Sequence, residues 1–206
     1  MRLVILGTTG RTGRLVAEQA IERGMDVVAL VRHEPDPPLD PRVAVAVVDL
    51  RDQDAIAPEL VGADAVVSAI GPVTGVTVTE VSQATQAVVD AMVRTGVRRI
   101  VAAANGKVLT EDEVTGEYAN VAAEHRRDAA ILAASGLDWT LLAAPFLTDD
   151  AGTGDIATVV GAKAPGRTLT RADFAAVLLD ALHHPDWVGR IVGVADPASV
   201  ALTARA

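Results

Sequence analysis

Short apolar runs rich in valine and isoleucine recur along the chain, separated by segments whose apolar positions fall three and four residues apart. The runs at 2–7, 26–31, 43–48, 64–70, 98–103, 139–144 and 190–195 read as strands, and they are continuous rather than alternating. A strand that is apolar on both faces is covered on both faces, which is the pattern of a parallel sheet between layers of helices. The periodic segments predict helices over 12–24, 52–61, 79–95, 117–134 and 171–183. Val81, Ala84, Val88, Ala91 and Met92 share one face of the third of these helices. Phe174, Val177, Leu178, Ala181 and Leu182 form a core stripe on the last. Residues 34–41 hold Pro35, Pro37, Pro38 and Pro41, which forbid regular structure and leave a loop. Strands alternating with helices through right-handed crossovers give an α/β, doubly wound, Rossmann-like architecture with helices on both faces of a mostly parallel sheet. No repeat or linker interrupts the alternation, so residues 1–206 are expected to form a single domain.

Composition narrows the function classes. A chain of 206 residues supports one core comfortably and two poorly. Half the residues are apolar but only five are aromatic, so the interior must be built from alanine, valine, leucine and isoleucine. Eighteen basic against 27 acidic residues leave a net charge of −9. That balance disfavours nucleic acid and anionic membrane as partners. With no cysteine, thiolate catalysis, iron–sulfur clusters and cysteine zinc sites are all excluded. No apolar run approaches the length of a membrane span, and the start lacks a signal peptide's layout, so a cytoplasmic protein is expected. Alanine, valine, arginine and aspartate are enriched and Lys107 and Lys163 are the only lysines, which suggests a GC-rich bacterial genome.

The first strand runs into Gly7-Thr8-Thr9-Gly10-Arg11-Thr12-Gly13, which opens a helix. In such a loop Gly7 makes the tight turn, Gly10 lets backbone approach a pyrophosphate and Gly13 permits close helix–strand packing. The helix N-terminus then offers free N–H groups and a partial positive charge to phosphate. No Gly-Lys-Ser/Thr follows, so this is not a nucleoside-triphosphate loop. A dinucleotide is the expected ligand, with Thr9 and Thr12 completing the turn.

The second strand ends at Arg32, where enzymes that take NAD carry a carboxylate for the ribose 2′-hydroxyl. A guanidinium binds a 2′-phosphate bidentately, whereas a carboxylate repels it. Arg11 is placed to close on the same phosphate, and NADP(H) is therefore the expected cofactor. Asp49, ending the third strand, can accept from the adenine amino group while Leu50 packs on the ring. Asp52 is the better cap for the following helix. Small residues at the end of the fourth strand, Ala69, Ile70 and Gly71, let a nicotinamide ribose lie against backbone. Each of these positions also has a plain structural reading, as a turn, a cap or a solvated side chain.

Taken together, Ile5–Gly13, Leu30-Val31-Arg32, Val48–Asp52, Gly62–Gly71 and Ser135–Thr140 resemble the atypical short-chain dehydrogenase/reductase superfamily. The nearest likeness is its NAD(P)-binding NmrA-like group, which includes flavin reductase (biliverdin reductase B) type proteins and redox-sensing regulators. The resemblance covers nearly the whole chain. It implies that Pro145, at the end of the sixth strand, contributes backbone to the nicotinamide, and that Thr170–Ala175 starts a helix on the structural or substrate side. The superfamily's Tyr-x-x-x-Lys pair falls on Val121 and His125, so the dyad is absent; a histidine at the lysine position fits the flavin-reductase branch. That branch carries a histidine after the strand-six proline, where this chain has Phe146.

These departures limit the chemistry. Reducing a carbonyl to an alcohol needs a positioned proton donor. Tyr118, the sole tyrosine, lies seven residues before His125, about 10 Å along a helix, too far for a direct relay. Flavins and quinones accept hydride as stabilised anions that solvent can protonate, so orientation is most of the task. His125 as proton donor or positioning group, and Asn105 as a hydrogen-bond donor to an acceptor carbonyl, are the candidate catalytic residues. His125 as a partly buried helix residue and Asn105 as a turn residue are the competing readings. No G-x-S-x-G elbow is present, and four histidines, two of them adjacent, make a histidine metal site improbable. Trp139 and Trp187 read as packing residues. An NADPH-dependent oxidoreductase is expected, acting on a small-molecule hydride acceptor, with a monomer or weak homo-oligomer as its state. The alternative is a non-catalytic NADP(H)-binding regulator.

Overall fold

In the computed structural model, residues 1–72 and 79–203 are described. The elements in chain order are β1 (Arg2–Leu6), α1 (Arg11–Glu22), β2 (Asp26–Val31), β3 (Ala44–Val47), α2 (Gln53–Leu60), β4 (Ala65–Ser68), α3 (Glu80–Thr95), β5 (Arg99–Asn105), α4 (Ala119–Ala134), β6 (Asp138–Ala144), β7 (Phe146–Thr148), β8 (Ala157–Val160), β9 (Thr168–Thr170), α5 (Arg171–Asp180) and β10 (Arg190–Ala195). The valine-rich runs lie side by side as predicted. The main sheet has the order β3-β2-β1-β4-β5-β6-β10-β8, parallel throughout except for β8, which runs antiparallel to β10. Strand order reverses between β1 and β4, and crevices at such reversals are where doubly wound folds hold their ligands.

Two apolar layers cover the sheet. Val16, Ala20, Phe174 and Leu178, from α1 and α5, pack on one face with Leu3 and Ile5. Ile56, Val88, Met92 and Leu132, from α2, α3 and α4, pack on the other with Val4, Leu6 and Ile100. The central strands are buried along almost their whole length, which is why they read as continuous apolar runs. β3 departs from that expectation. It is the sheet's edge, and Val45 and Val47 are exposed, so an apolar run alone did not report its burial.

The strands β7, β8 and β9 were not foreseen. β7 and β9 have three residues each and pair with one another apart from the main sheet, too short for a periodic signal. β8 alternates exposed and half-buried positions, as an edge strand does. Several ends also move. α1 begins one residue earlier, at Arg11, and residues 116–118 form a 3-10 turn before α4. β5 continues to Asn105, whose backbone pairs with Ala144 at the end of β6.

One buried carboxylate ties α4 to the start of α3. Glu124 on α4 is fully buried, and its carboxylate accepts from the backbone N–H of Val81 and Ser82, both at 3.0 Å, capping α3 from outside. It also accepts from the Ser82 hydroxyl at 2.9 Å and from Arg127 Nε at 2.7 Å. Burial by itself pushes this carboxyl's pKa up, but the Ser82 N–H, Arg127 and the Ser82 hydroxyl outweigh it, and the net shift is downward. A depressed folded-state pKa means that the stabilisation is fully present above the unfolded carboxyl pKa and is lost as pH falls through the lower folded value. Glu124→Ala is therefore expected to cost about 3 kcal/mol near neutral pH, since it strands four donors. In chemical denaturation, the difference from wild type should shrink below about pH 4. A difference that stays constant down to pH 2 would contradict an ionised Glu124.

Candidate functional site

The glycine turn sits at the sheet's switch point. Gly7 has φ +88°, and a Cβ there would lie 2.7 Å from the carbonyl carbon and oxygen of Ala69. A Cβ on Gly13 would lie 2.1 Å from the Gly7 oxygen, so α1 presses its first turn directly onto the end of β1. Gly10 is the N-terminal cap of α1, and its N–H donates to the Gly7 oxygen at 2.9 Å. No side chain caps this helix and no acidic residue lies in its first turn. By contrast α2 is capped by Asp52, α3 by Glu124 and α5 by Thr170. The N-terminus of α1 thus keeps its donors and its positive end of the dipole for an anion supplied from outside.

A cleft of about 260 Å³ opens from this turn. Gly7, Thr9 and Gly10 form its floor, and Ala69, Ile70 and Gly71 close it where β4 ends. Arg32, Asp49 and Leu50 stand at the ends of β2 and β3, as the sequence placed them, and Asp52 caps α2. Among the further residues that line the cleft, two charged side chains were not assigned to it from sequence: Arg51 and Glu80. Arg51 follows Asp49 by two residues and was legible as part of the same strand-end turn. Glu80 arrives from α3, and only packing brings it across.

The charges at the outer end are paired. Arg51 donates to both oxygens of Asp49, at 3.0 and 2.9 Å, and Arg32 Nη1 lies 3.5 Å from Glu80 Oε2. Hydrogen bonds from the Arg51 side chain and backbone, with the Arg32 charge nearby, hold Asp49 well below the usual carboxylate range, at about 2. All four side chains are half exposed or more, so these pairs are weak and exchangeable. The chemistry of the rim, two guanidiniums beside a free helix N-terminus, fits a phosphorylated dinucleotide.

The structure does not bring every candidate to this cleft. Arg11 turns away and pairs with Asp149 at 2.7 Å instead of facing Arg32; Asp149 is held on its other oxygen by Arg171, also at 2.7 Å. Thr12 and Gly13 lie inside α1, behind the floor. Pro145 and Asn105 stand at the ends of β6 and β5, beyond the cleft's inner end. The Asn105 side-chain oxygen Oδ1 accepts from the Lys107 N–H at 3.0 Å, so its turn role is real and leaves its side-chain N–H₂ as donor. His125 is buried on α4, its Nδ1 3.7 Å from Asp128 Oδ2 and without a hydrogen bond. It is outside the cleft, in the position of a buried helix residue rather than of a group open to an acceptor. Tyr118 precedes α4 and is half exposed. Asp173, in the helix start expected on the structural or substrate side, accepts from Thr170 Oγ1 and from the N–H groups of Thr153 and Gly154, which favours the structural reading.

The family model described as NAD(P)H-binding matches residues 7–185. A solved structure of a protein named putative exported protein, from Burkholderia pseudomallei, is 25% identical, with TM-score 0.83 over 95% of this chain and 99% of that one. SP1627 of Streptococcus pneumoniae, named a putative NADH-flavin reductase, is 21% identical with TM-score 0.80, covering 95% and 99%. A short-chain dehydrogenase/reductase from Veillonella parvula, solved in complex with NADP, is 19% identical with TM-score 0.77, covering 96% and 95%.

Proposed function

The chain belongs to the NAD(P)H-binding family, and on that premise we propose that it is an NADPH-dependent oxidoreductase delivering hydride to a flavin, quinone or similar conjugated acceptor. The observation that carries this reading is the glycine cradle with its uncapped α1 N-terminus, opening on Arg32 and Arg51 at the rim. The bound cofactor would supply the hydride. Gly7, Gly10 and Gly13 hold backbone close enough for the α1 donors to meet the pyrophosphate. Arg32 and Arg51 exchange Glu80 and Asp49 for the 2′-phosphate, which carries more charge than either carboxylate. Leu50 gives an apolar surface for the adenine, and Ala69, Ile70 and Gly71 give backbone for the ribose beyond the pyrophosphate.

The acceptor class follows from what the residues cannot supply. The resemblance puts Val121 and His125 where the superfamily carries its Tyr–Lys pair, and His125 is buried. An acceptor whose reduced form is a delocalised anion needs no acid from the protein, because water can deliver its proton. The experiment is steady-state oxidation of NADPH with FMN or a soluble quinone. Turnover above the uncatalysed rate is the expected result. Tight NADPH binding without turnover on any such acceptor would overturn it in favour of a regulator that binds the cofactor only.

A further inference from the structure

The two guanidiniums at the rim of the cleft are held by carboxylates in different ways. Asp49 precedes Arg51 by two residues in one turn, and accepts from its Nε, its Nη2 and its backbone N–H, at 3.0, 2.9 and 3.0 Å. Glu80 reaches Arg32 from another element, the first turn of α3, through one contact of 3.5 Å. Both side chains of this second pair are more than half exposed, and neither has another ion-pair partner among the described residues. Nor is Glu80 needed to cap its own helix. The N–H groups of Val81 and Ser82, at the start of α3, are met by the buried Glu124 carboxylate. Glu80 can therefore leave Arg32 without breaking a second bond.

A carboxylate and a phosphate monoester both meet a guanidinium with two oxygens, so Glu80 holds on Arg32 the place that a cofactor's 2′-phosphate takes. They differ in charge, the phosphate carrying about −1.5 to −2 at neutral pH against a single charge on the carboxylate. They also differ in attachment, since the phosphate belongs to the cofactor and Glu80 to the protein. A phosphorylated cofactor must displace Glu80 to reach Arg32, and the displaced carboxylate then stays close enough to repel it. A cofactor with a bare 2′-hydroxyl displaces nothing, and its hydroxyl can donate to the carboxylate that Arg32 already steadies. The Arg32–Glu80 pair thus works against one ligand and for the other.

We propose that Glu80 stands in for the 2′-phosphate, and that this one side chain sets how strongly the cleft prefers NADPH to NADH. With NADH bound, Glu80 stays on Arg32 and accepts from the ribose 2′-hydroxyl. With NADPH bound, the 2′-phosphate takes Arg32 and Glu80 turns out to solvent. The wild-type preference is accordingly smaller than the two guanidiniums alone would give. The proposal rests on the reading of the cleft as a nicotinamide-dinucleotide site, but not on turnover or on any acceptor.

Titrating the protein with NADPH and with NADH, followed by the fluorescence of the reduced nicotinamide, measures both dissociation constants. Glu80→Gln removes the charge at nearly constant size. NADPH is expected to bind about threefold more tightly, the range of an exposed charge pair, with the gain fading at high salt. NADH is expected to bind about fivefold more weakly, because an amide oxygen is a poorer acceptor for the 2′-hydroxyl than a carboxylate. Asp90→Asn makes the same change of net charge further along α3, about 15 Å away, and should alter neither constant. Opposite shifts for the two cofactors cannot come from a damaged helix start, which would weaken both. If both weaken, Glu80 is structural; if both tighten, it merely repels anionic cofactors; if either is unchanged, it does not stand in for the phosphate. Each of these results overturns the proposal, as does an equal effect of Asp90→Asn. Should the opposite shifts appear while NADPH oxidation with FMN and quinones fails, Glu80 keeps this role and the reductase reading falls. Turnover with affinities indifferent to Glu80 gives the reverse.

Discussion

Arg32→Asp is expected to weaken NADPH binding about a hundredfold while leaving NADH within threefold of wild type. A hundredfold change corresponds to about 2.7 kcal/mol, within the range for a charge-assisted hydrogen bond to phosphate. The local charge explains the asymmetry. In the wild type two guanidiniums, Arg32 and Arg51, stand beside Asp49 and Glu80. The substitution leaves Arg51 alone among three carboxylates, which a 2′-phosphate cannot approach without repulsion. A ribose 2′-hydroxyl, in contrast, can donate to the new aspartate. Titrating both cofactors at one ionic strength measures the effect, and equal losses for the two would show that Arg32 does not read the 2′-phosphate. Arg11→Ala should have a much smaller effect, because its side chain is engaged with Asp149.

Gly13→Ala is the second large effect, and it reaches the cofactor through the fold. The added methyl would lie 2.1 Å from the Gly7 oxygen and 2.5 Å from its carbonyl carbon. Both are backbone atoms at the end of a buried strand, so neither can yield as a flexible side chain would. α1 must lift away from β1, and the donors at its N-terminus move with it. A loss of about 3 kcal/mol is expected, seen as a fall in melting temperature of roughly 10 °C. The Kd for NADPH should rise at least tenfold in the protein that remains folded. Gly10→Ala is the control, since its Cβ would meet the Gly7 oxygen at 3.3 Å, a contact that a small shift relieves. Melting temperatures of Gly13→Ala and Gly10→Ala within 2 °C of each other would contradict the close helix–strand contact.

The two candidate catalytic residues show where one-dimensional reasoning stops. His125 could be placed on a helix from sequence, but whether it faced solvent or the interior depended on the angle at which α4 meets the sheet. That angle points Glu124 and His125 inward. Asn105 was placed beyond a strand, whereas β5 runs on to include it, because pairing with β6 continues to Ala144. Arg11 was assigned by proximity in sequence to the glycines. Its long side chain instead reaches Asp149, 138 residues away, a partner no local pattern announces.

The sequence by itself determined the alternating α/β order, the doubly wound sheet and the glycine turn. It did so because burial period, turn chemistry and strand-end position are local properties, set within a few residues of each other. It also placed Arg32, Asp49 and Leu50 at the ends of neighbouring strands, since parallel strands bring their C-terminal ends to one edge. Only the tertiary structure decided which side chains meet across that edge. Glu80 opposite Arg32, Glu124 at the start of α3, and Asp149 held by Arg11 and Arg171 are contacts between elements far apart in the chain. Their existence depends on helix rotation and strand length, quantities fixed by the packing of the whole core and not by any window of residues.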